Sequence, residues 1–313
     1  MMDCKKALVE TEGDIEKAID VLRKKGIARA AKRADREAGE GAVISKTTAD
    51  HKYGAVIMLN CETDFVAQNA DFVKFTQDLL NLAVEKRFKN IDELKAAQFD
   101  GMTVAEAVMN QGSKTGEKTE LGAFEVLESE YVSNYNHQGN RLATIVAMSK
   151  SFANVEEVGH EVAMQVAAMN PLAVSEEKVP QDVKDRELAV AIEKTKQDEV
   201  NKAVENALRK AGLNPALVDS EDHIESNMAK GWLTKEEADK AREIRATVPD
   251  EAQKNINEKK VEMIANGRLG KFFKENCLLK QVSLIADPKT VAEYIAASDK
   301  EATVLDFKRV KLG

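Results

Sequence analysis

Cysteine is scarce in this 313-residue chain: Cys4, Cys61 and Cys277 are odd in number, far apart and without C-x-x-C spacing. That excludes a disulfide scaffold and fits a reducing cytosol. The four histidines, His51, His137, His160 and His223, are as scattered, so no local zinc motif exists. Aromatic residues make up 5 %, with Trp232 the single tryptophan, which leaves few faces on which bases could stack. The net charge of −8 argues against a broad phosphate-binding surface. The basic run Arg29 to Arg36 reads as a solvated helix face or a linker. Long apolar runs are missing, so no membrane span is expected, and Asp3 and Lys5 stand where a secretion signal would need apolar residues. Phosphate-loop, dinucleotide and nucleophile-elbow motifs are missing too. The acidic residues have the spacing of solvated helix faces rather than of a catalytic pair.

What is present is the composition of a folded protein, 43 % hydrophobic and 32 % charged, with length for about two domains. Asp3 to Glu10 reads as one helix. Asp14 is a good N-cap for a second, with Ile15, Ala18, Ile19 and Leu22 on one face and Gly26 placed to end it in a left-handed turn. Two such short helices bury little, so this module, residues 1–26, is expected to lack a further helix. Residues 27–41, charged and ending in AGEG, read as a linker.

The period then changes. Ala42 to Thr48 and Ala55 to Asn60 are rich in valine and isoleucine and flank a turn, which predicts an antiparallel hairpin. A helix over Asp71 to Arg87 follows, with Phe72, Phe75, Leu79, Leu82 and Ala83 on its apolar face. The pattern recurs. Tyr131 to Tyr135 and Leu142 to Met148 form a second hairpin, and a helix over Val155 to Met169 follows it. TVAEAV at Thr103 to Val108 matches TVAEYI at Thr290 to Ile295, each ahead of a strand, Ala123 to Glu130 and Thr303 to Lys311. The fold class expected is therefore α+β, a duplicated core with antiparallel sheets, its halves at 42–130 and 131–313. The second half is much longer, which places a helical insertion at about 180–275. There Asp182 to Ala211, Thr234 to Thr247 and Pro249 to Glu275 read as helices, with Pro249 in a first turn. The narrow stripe Val200, Val204, Ala207 and Ala211 suits a helical hairpin arm.

Two segments stand out. In NCETDFVAQNADF, Asn60 to Phe72, residues Thr63, Asp64 and Phe65 sit where a strand gives way to a helix. Thr63 or Asp64 can cap a helical turn with Phe65 in the core, or Phe65 can stand exposed beside a carboxylate as a wedge for another protein's crevice. In HEVAMQVAAMNP, His160 to Pro171, Gln165 has neighbours of mixed polarity. It reads as solvent-facing, or as a polar contact at an interface.

These segments carry a family resemblance. Residues Met1 to Gly26 resemble the ubiquitin-associated-like domain of the elongation factor Ts family. NCETDFVAQNADF resembles that family's signature around TDFV, and VAMQVAAMNP, NGRLGKFFKENCLL (266–279) and DPKTVAEYI (287–295) resemble further segments in the family's order. The resemblance covers nearly the whole chain. It implies a small ubiquitin-associated-like helical module, a duplicated α+β core and an inserted coiled-coil arm. It also implies a cytoplasmic guanine nucleotide exchange factor that performs no covalent chemistry, with no cofactor, no direct nucleic-acid contact and no membrane. The partner implied is elongation factor Tu, GDP-bound and nucleotide-free. By resemblance Thr63, Asp64, Phe65 and Val66 meet that GTPase near its nucleotide, and Met1, Met2 and Lys5 help bind it. Gln165 stands where the family has a second, histidine wedge. The chain departs from the family pattern twice more: it starts at MMDC, without the family's first helix, and Gly212 to Trp232 lengthens the insertion.

Overall fold

The computed structural model describes residues 2–313, apart from the side chains of residues 2, 3, 23 and 27–31. Helix α1 (Met2–Glu10) turns through Glu12 and Gly13, both at positive φ, into α2 (Ile15–Ala31). The Asp14 carboxylate accepts from the Lys17 backbone N–H at 3.1 Å and so caps α2. Gly26 does not end this helix, contrary to the expectation. It lies buried inside α2, where a Cβ would come within 3.9 Å of Asn110 Oδ1, and the good helix formers after it carry the helix to Ala31. The linker therefore starts after residue 31.

Strands β1 (Glu40–Thr47) and β2 (Tyr53–Cys61) form the first hairpin. After it come α3 (Asp64–Ala67), α4 (Ala70–Lys86), α5 (Ile91–Ala96), the short pair β3 (Gln98–Phe99) and β4 (Met102–Thr103), α6 (Val104–Thr115) and β5 (Glu120–Glu128). The second hairpin is β6 (Tyr131–Asn136) and β7 (Leu142–Met148), followed by α7 (Val155–Met169). Residues 175–275 then carry α8 (Gln181–Lys210), α9 (Glu221–Ala229), α10 (Lys235–Lys254) and α11 (Glu258–Asn276), and the chain ends on α12 (Val291–Ser298) and β8 (Val304–Lys311). The fold is mixed helix and antiparallel sheet. Its two main sheets have strand orders β1-β2-β5 and β6-β7-β8, with register shifts at Met58/Leu59 and Ala147/Met148. Thr103 with Glu106 and Thr290 with Glu293 close matching capping boxes at the starts of α6 and α12.

The chain divides into two compact units, residues 1–174 with 276–313, and residues 175–275. In the first, side-chain alternation explains the layering. Ala55, Ile57 and Leu59 of β2 face a cluster with Phe72, Leu79 and Leu80 of α4, while Val56 faces Val132, Ile145 and Ala147 of the other sheet. On the far side Val146 and Met148 meet Val158, Val162 and Val166 of α7. The sheets thus pack on each other, each with helices on its outer face. Burying each such side chain is worth about 1.5–3 kcal/mol.

In the second unit α8 packs along α10. Leu213 and Val218, between α8 and α9, and Ile224, within α9, join Leu208, Leu233, Ala238 and Ala241 in a separate apolar core. Thr234 and Glu237 close a capping box on α10. Pro249 does not begin a helix, as its usual place in a first turn had suggested. It lies inside α10, where it removes one backbone donor, and the break falls at residues 255–257, where Asn257 accepts from the Lys260 N–H at 3.1 Å.

Candidate functional site

The corner between β2 and α4 is built from short-range capping and one long-range anchor. Thr63 has extended backbone, and its hydroxyl oxygen accepts from the Val66 N–H, so it is the N-cap of α3. Asn69 caps α4 in turn, accepting from the N–H groups of Asp71 and Phe72. Two caps in seven residues force the chain out of the sheet and back. Phe65, on the outside of that bend, is 85 % exposed. The core reading of Phe65 is therefore excluded. Val66 is half-buried and packs on the cluster that holds Phe72, so α3 sits on the core by one face and offers Phe65 by the other.

Asp64 is exposed, and its carboxylate makes no hydrogen bond or ion pair with a described residue. Its charge at the first turn of α3 is favourable there. Thr63 is tied by its hydroxyl to Glu117 at 2.6 Å. Glu62 accepts from the Lys118 N–H at 2.5 Å and pairs with Arg36 at 3.2 Å. That N–H, with a smaller contribution from Arg36, holds the Glu62 carboxyl below its usual range. Beside Phe65 runs a groove between α4 and α6, lined in part by Phe75, Phe99 and Met102.

The other candidate residues lie apart from this corner. Met1 is outside the described residues, as is the side chain of Met2. Lys5 is exposed on α1, beside a patch formed by Leu8 and Val9.

Gln165 corrects the solvent-facing expectation, being only 3 % exposed. Its Nε2 donates to Gln281 Oε1 at 3.2 Å and to the Val282 carbonyl at 3.1 Å, and its Oε1 accepts from the Leu284 N–H at 2.9 Å. The mixed polarity around it reflects a loop, residues 281–286, that folds over this face of α7. That loop exposes Val282, Leu284 and Ile285. The last two border an apolar cleft with Tyr135, Leu142, Met164 and Ala168. The clefts that adjoin Phe65 and Gln165 share no residue.

Two features escaped the sequence reading. Glu117 follows a helix-ending glycine and has no local motif around it. Val282, Leu284 and Ile285 are exposed, but nothing in the sequence marks these apolar residues as surface. Among the described residues no three His, Cys, Asp or Glu side chains gather as a metal site would need, and no helix is long and apolar enough to cross a membrane.

The corner thus presents an exposed aromatic side chain, Phe65, next to the exposed carboxylate of Asp64. The family model described as Elongation factor TS matches residues 62–313. The chain is 54 % identical to the elongation factor Ts of Bacteroides thetaiotaomicron, over all of this chain and 94 % of that one. It is equally similar to that of Phocaeicola vulgatus, with the same coverage. It is 39 % identical to that of Flavobacterium psychrophilum, over all of this chain and 93 % of the relative. The chain belongs to the elongation factor Ts family, and is by that membership a translation elongation factor.

Proposed function

We propose that this chain docks on the GTPase elongation factor Tu, GDP-bound or nucleotide-free, and speeds release of GDP without covalent chemistry or a cofactor of its own. One observation carries the reading: Phe65 stands 85 % exposed on a corner held by two caps, with the Asp64 carboxylate unengaged beside it. A phenylalanine left in water forgoes about 1.5–3 kcal/mol of burial, which a crevice in a partner would return. If that crevice opens only when the nucleotide is out, Phe65 binds the nucleotide-free state preferentially and shifts the GTPase toward it. Asp64 would add negative charge close to the region that holds the phosphates and their metal. By linkage, whatever factor the chain takes from GDP affinity, GDP takes from the affinity of the chain, so incoming nucleotide expels it for another round.

In this reading Thr63 and Val66 seat the wedge. Met1, Met2 and Lys5 give a second contact with the GTPase. Gln165, committed to the 281–286 loop, acts through that loop. The helical module, which α2 extends to residue 31, the core halves at 42–130 and 131–313 and the arm at about 180–275 would each be a part of one docking factor. Such a factor works in the cytoplasm, without nucleic acid or membrane as partner. The test is release of fluorescent GDP from elongation factor Tu, with and without the chain. Accelerated release is expected. Binding without acceleration would favour an adaptor instead, a role that the exposed Leu8, Val9, Ile15 and Ile19 of α1 and α2 would suit.

A further inference from the structure

The carboxylate of Glu117 is the hub of the Phe65 corner. Its Oε2 accepts from the backbone N–H groups of Glu62 at 3.0 Å and Thr63 at 3.1 Å, and its Oε1 accepts from the Thr63 hydroxyl at 2.6 Å. A threonine hydroxyl has one proton. Given to Glu117, it leaves the oxygen free only to accept, which is what the N-cap of α3 requires from the Val66 N–H. Glu117 therefore sets both the path of residues 62–63 and the polarity of the cap.

The local sequence delivers Glu117 to this place. Gly116, at φ 82, ends α6 with its N–H on the Gly112 carbonyl. A Cβ on Gly112 would fall 2.7 Å from the Glu117 carbonyl oxygen, so only glycine lets the chain double back so closely. The next residue, Lys118, donates its N–H to Glu62, and the two segments are thus cross-tied in both directions.

Phe65 has an alternative to exposure. It stands at the rim of the groove that contains Phe75, Phe99 and Met102, being one of its lining residues yet 85 % exposed, and a loosened α3 would let the ring fold down into it. We propose that Glu117 is a positioning residue for nucleotide exchange: its carboxylate holds residues 62 and 63 so that Phe65 stays out of the adjoining groove and available to a partner. This rests on the wedge reading of Phe65. It adds a residue, 54 positions away in sequence from the Thr63 it holds, that need not touch the GTPase.

The test uses the full chain with four variants, Glu117→Ala, Glu117→Gln, Phe65→Ala and the double Glu117→Ala/Phe65→Ala. GDP release from elongation factor Tu is read at saturating concentrations of each, together with amide exchange of residues 62–66 in the free protein. Glu117→Ala is expected to lower the maximal release rate roughly tenfold, the equivalent of about 1.4 kcal/mol, and to speed exchange of the Thr63 and Val66 amides. Glu117→Gln keeps one acceptor oxygen and should fall between. In the Phe65→Ala background Glu117→Ala should add no further slowing, because the ring it positions is gone. A merely structural residue would slow both backgrounds by the same factor, and that outcome overturns the proposal, as do unchanged amides in Glu117→Ala. Slow release by Phe65→Ala beside wild-type release by Glu117→Ala overturns this proposal alone. Wild-type release by Phe65→Ala overturns the wedge reading and this proposal with it.

Discussion

The backbone N–H of Leu284 donates to the side-chain oxygen of Gln165 at 2.9 Å, which fastens an exposed apolar loop to the middle of α7. Gln165→Ala would strand that N–H and the Val282 carbonyl. Leaving a buried polar group unsatisfied costs about 1–3 kcal/mol. The variant should melt lower, by about 2–4 °C for each kcal/mol in a unit of this size, and the Leu284 amide should exchange faster. Gln165→His should fall between, since a neutral imidazole offers one donor and one acceptor where glutamine uses two donations and one acceptance. Its cationic form is disfavoured by the burial. Calorimetry with amide exchange checks the order, and a Gln165→Ala chain that melts like wild type would refute the latch.

Phe65→Ala separates stability from activity. A core phenylalanine cut to alanine costs about 3–5 kcal/mol, but this ring is 85 % exposed, so the melting temperature should hardly change. Release of GDP from elongation factor Tu should slow. A collapse in melting temperature with normal release would show the ring to be structural after all.

Why the sequence revealed some of this and not the rest follows from the range of the interactions. Ala42 to Ile44 and Val56 to Leu59 meet apolar neighbours on both faces, so each run is rich in valine and isoleucine and the pair flanks a turn, a local signal that made the hairpins and antiparallel sheets legible. The helices α4 and α7 were equally plain from their apolar stripes. Gly26 and Pro249 misled because each is weak punctuation once a helix has packing on its side. Phe65 could be read as core or as wedge because the bonds that decide it join Glu117 to Thr63 across 54 residues. Gln165 looked solvent-facing because the residues that cover it lie 116 to 119 positions further on.

The three thiols should differ in reactivity. Cys4 is exposed, while Cys61 and Cys277 are fully buried. One fast-reacting thiol per native chain is therefore expected with a disulfide reagent, and three in denaturant. Burial, with the Glu117 carboxylate adding to it, pushes the Cys61 thiol from its ordinary 9.0 up to about 12. The folded chain then keeps that proton to higher pH than the unfolded chain. Its stabilising contribution is full below about pH 9 and is lost as pH rises from there toward 12, with a slope of at most one proton. Tyr53, Tyr131 and Tyr294 are also pushed upward by burial, so the comparison must be with Cys61→Ala, whose alkaline slope should be shallower. Equal slopes would contradict the assignment.

Removing residues 175–275 should leave the two-sheet core folded. The chain leaves that core at Val174 and rejoins it at Asn276. The two crossings are neighbours: the Leu172 N–H donates to the Asn276 carbonyl at 2.8 Å, Ala173 bridges to Cys277, and the Leu279 N–H donates to the Val174 carbonyl at 3.0 Å. Because they run parallel, a replacement must lead from the end of one back to the start of the other. A linker of about six glycine and serine residues, each reaching at most about 3.6 Å, is long enough for that return. Shortening the loop also lowers its closure entropy, though only slowly with length. The sheets β1-β2-β5 and β6-β7-β8 and the clusters around Ile57 and Val146 keep all their members. The shortened chain should therefore show a single cooperative melt with strong protection of the amides in β2 and β7. The corner with Asp64 and Phe65 stays in place, so in the wedge reading some acceleration of GDP release should survive. The excised segment, with Leu208, Leu213, Val218 and Ile224 in a core of its own, should be helical when made alone. A shortened chain without protected β2 and β7 amides would mean that the core depends on residues 175–275 for its stability.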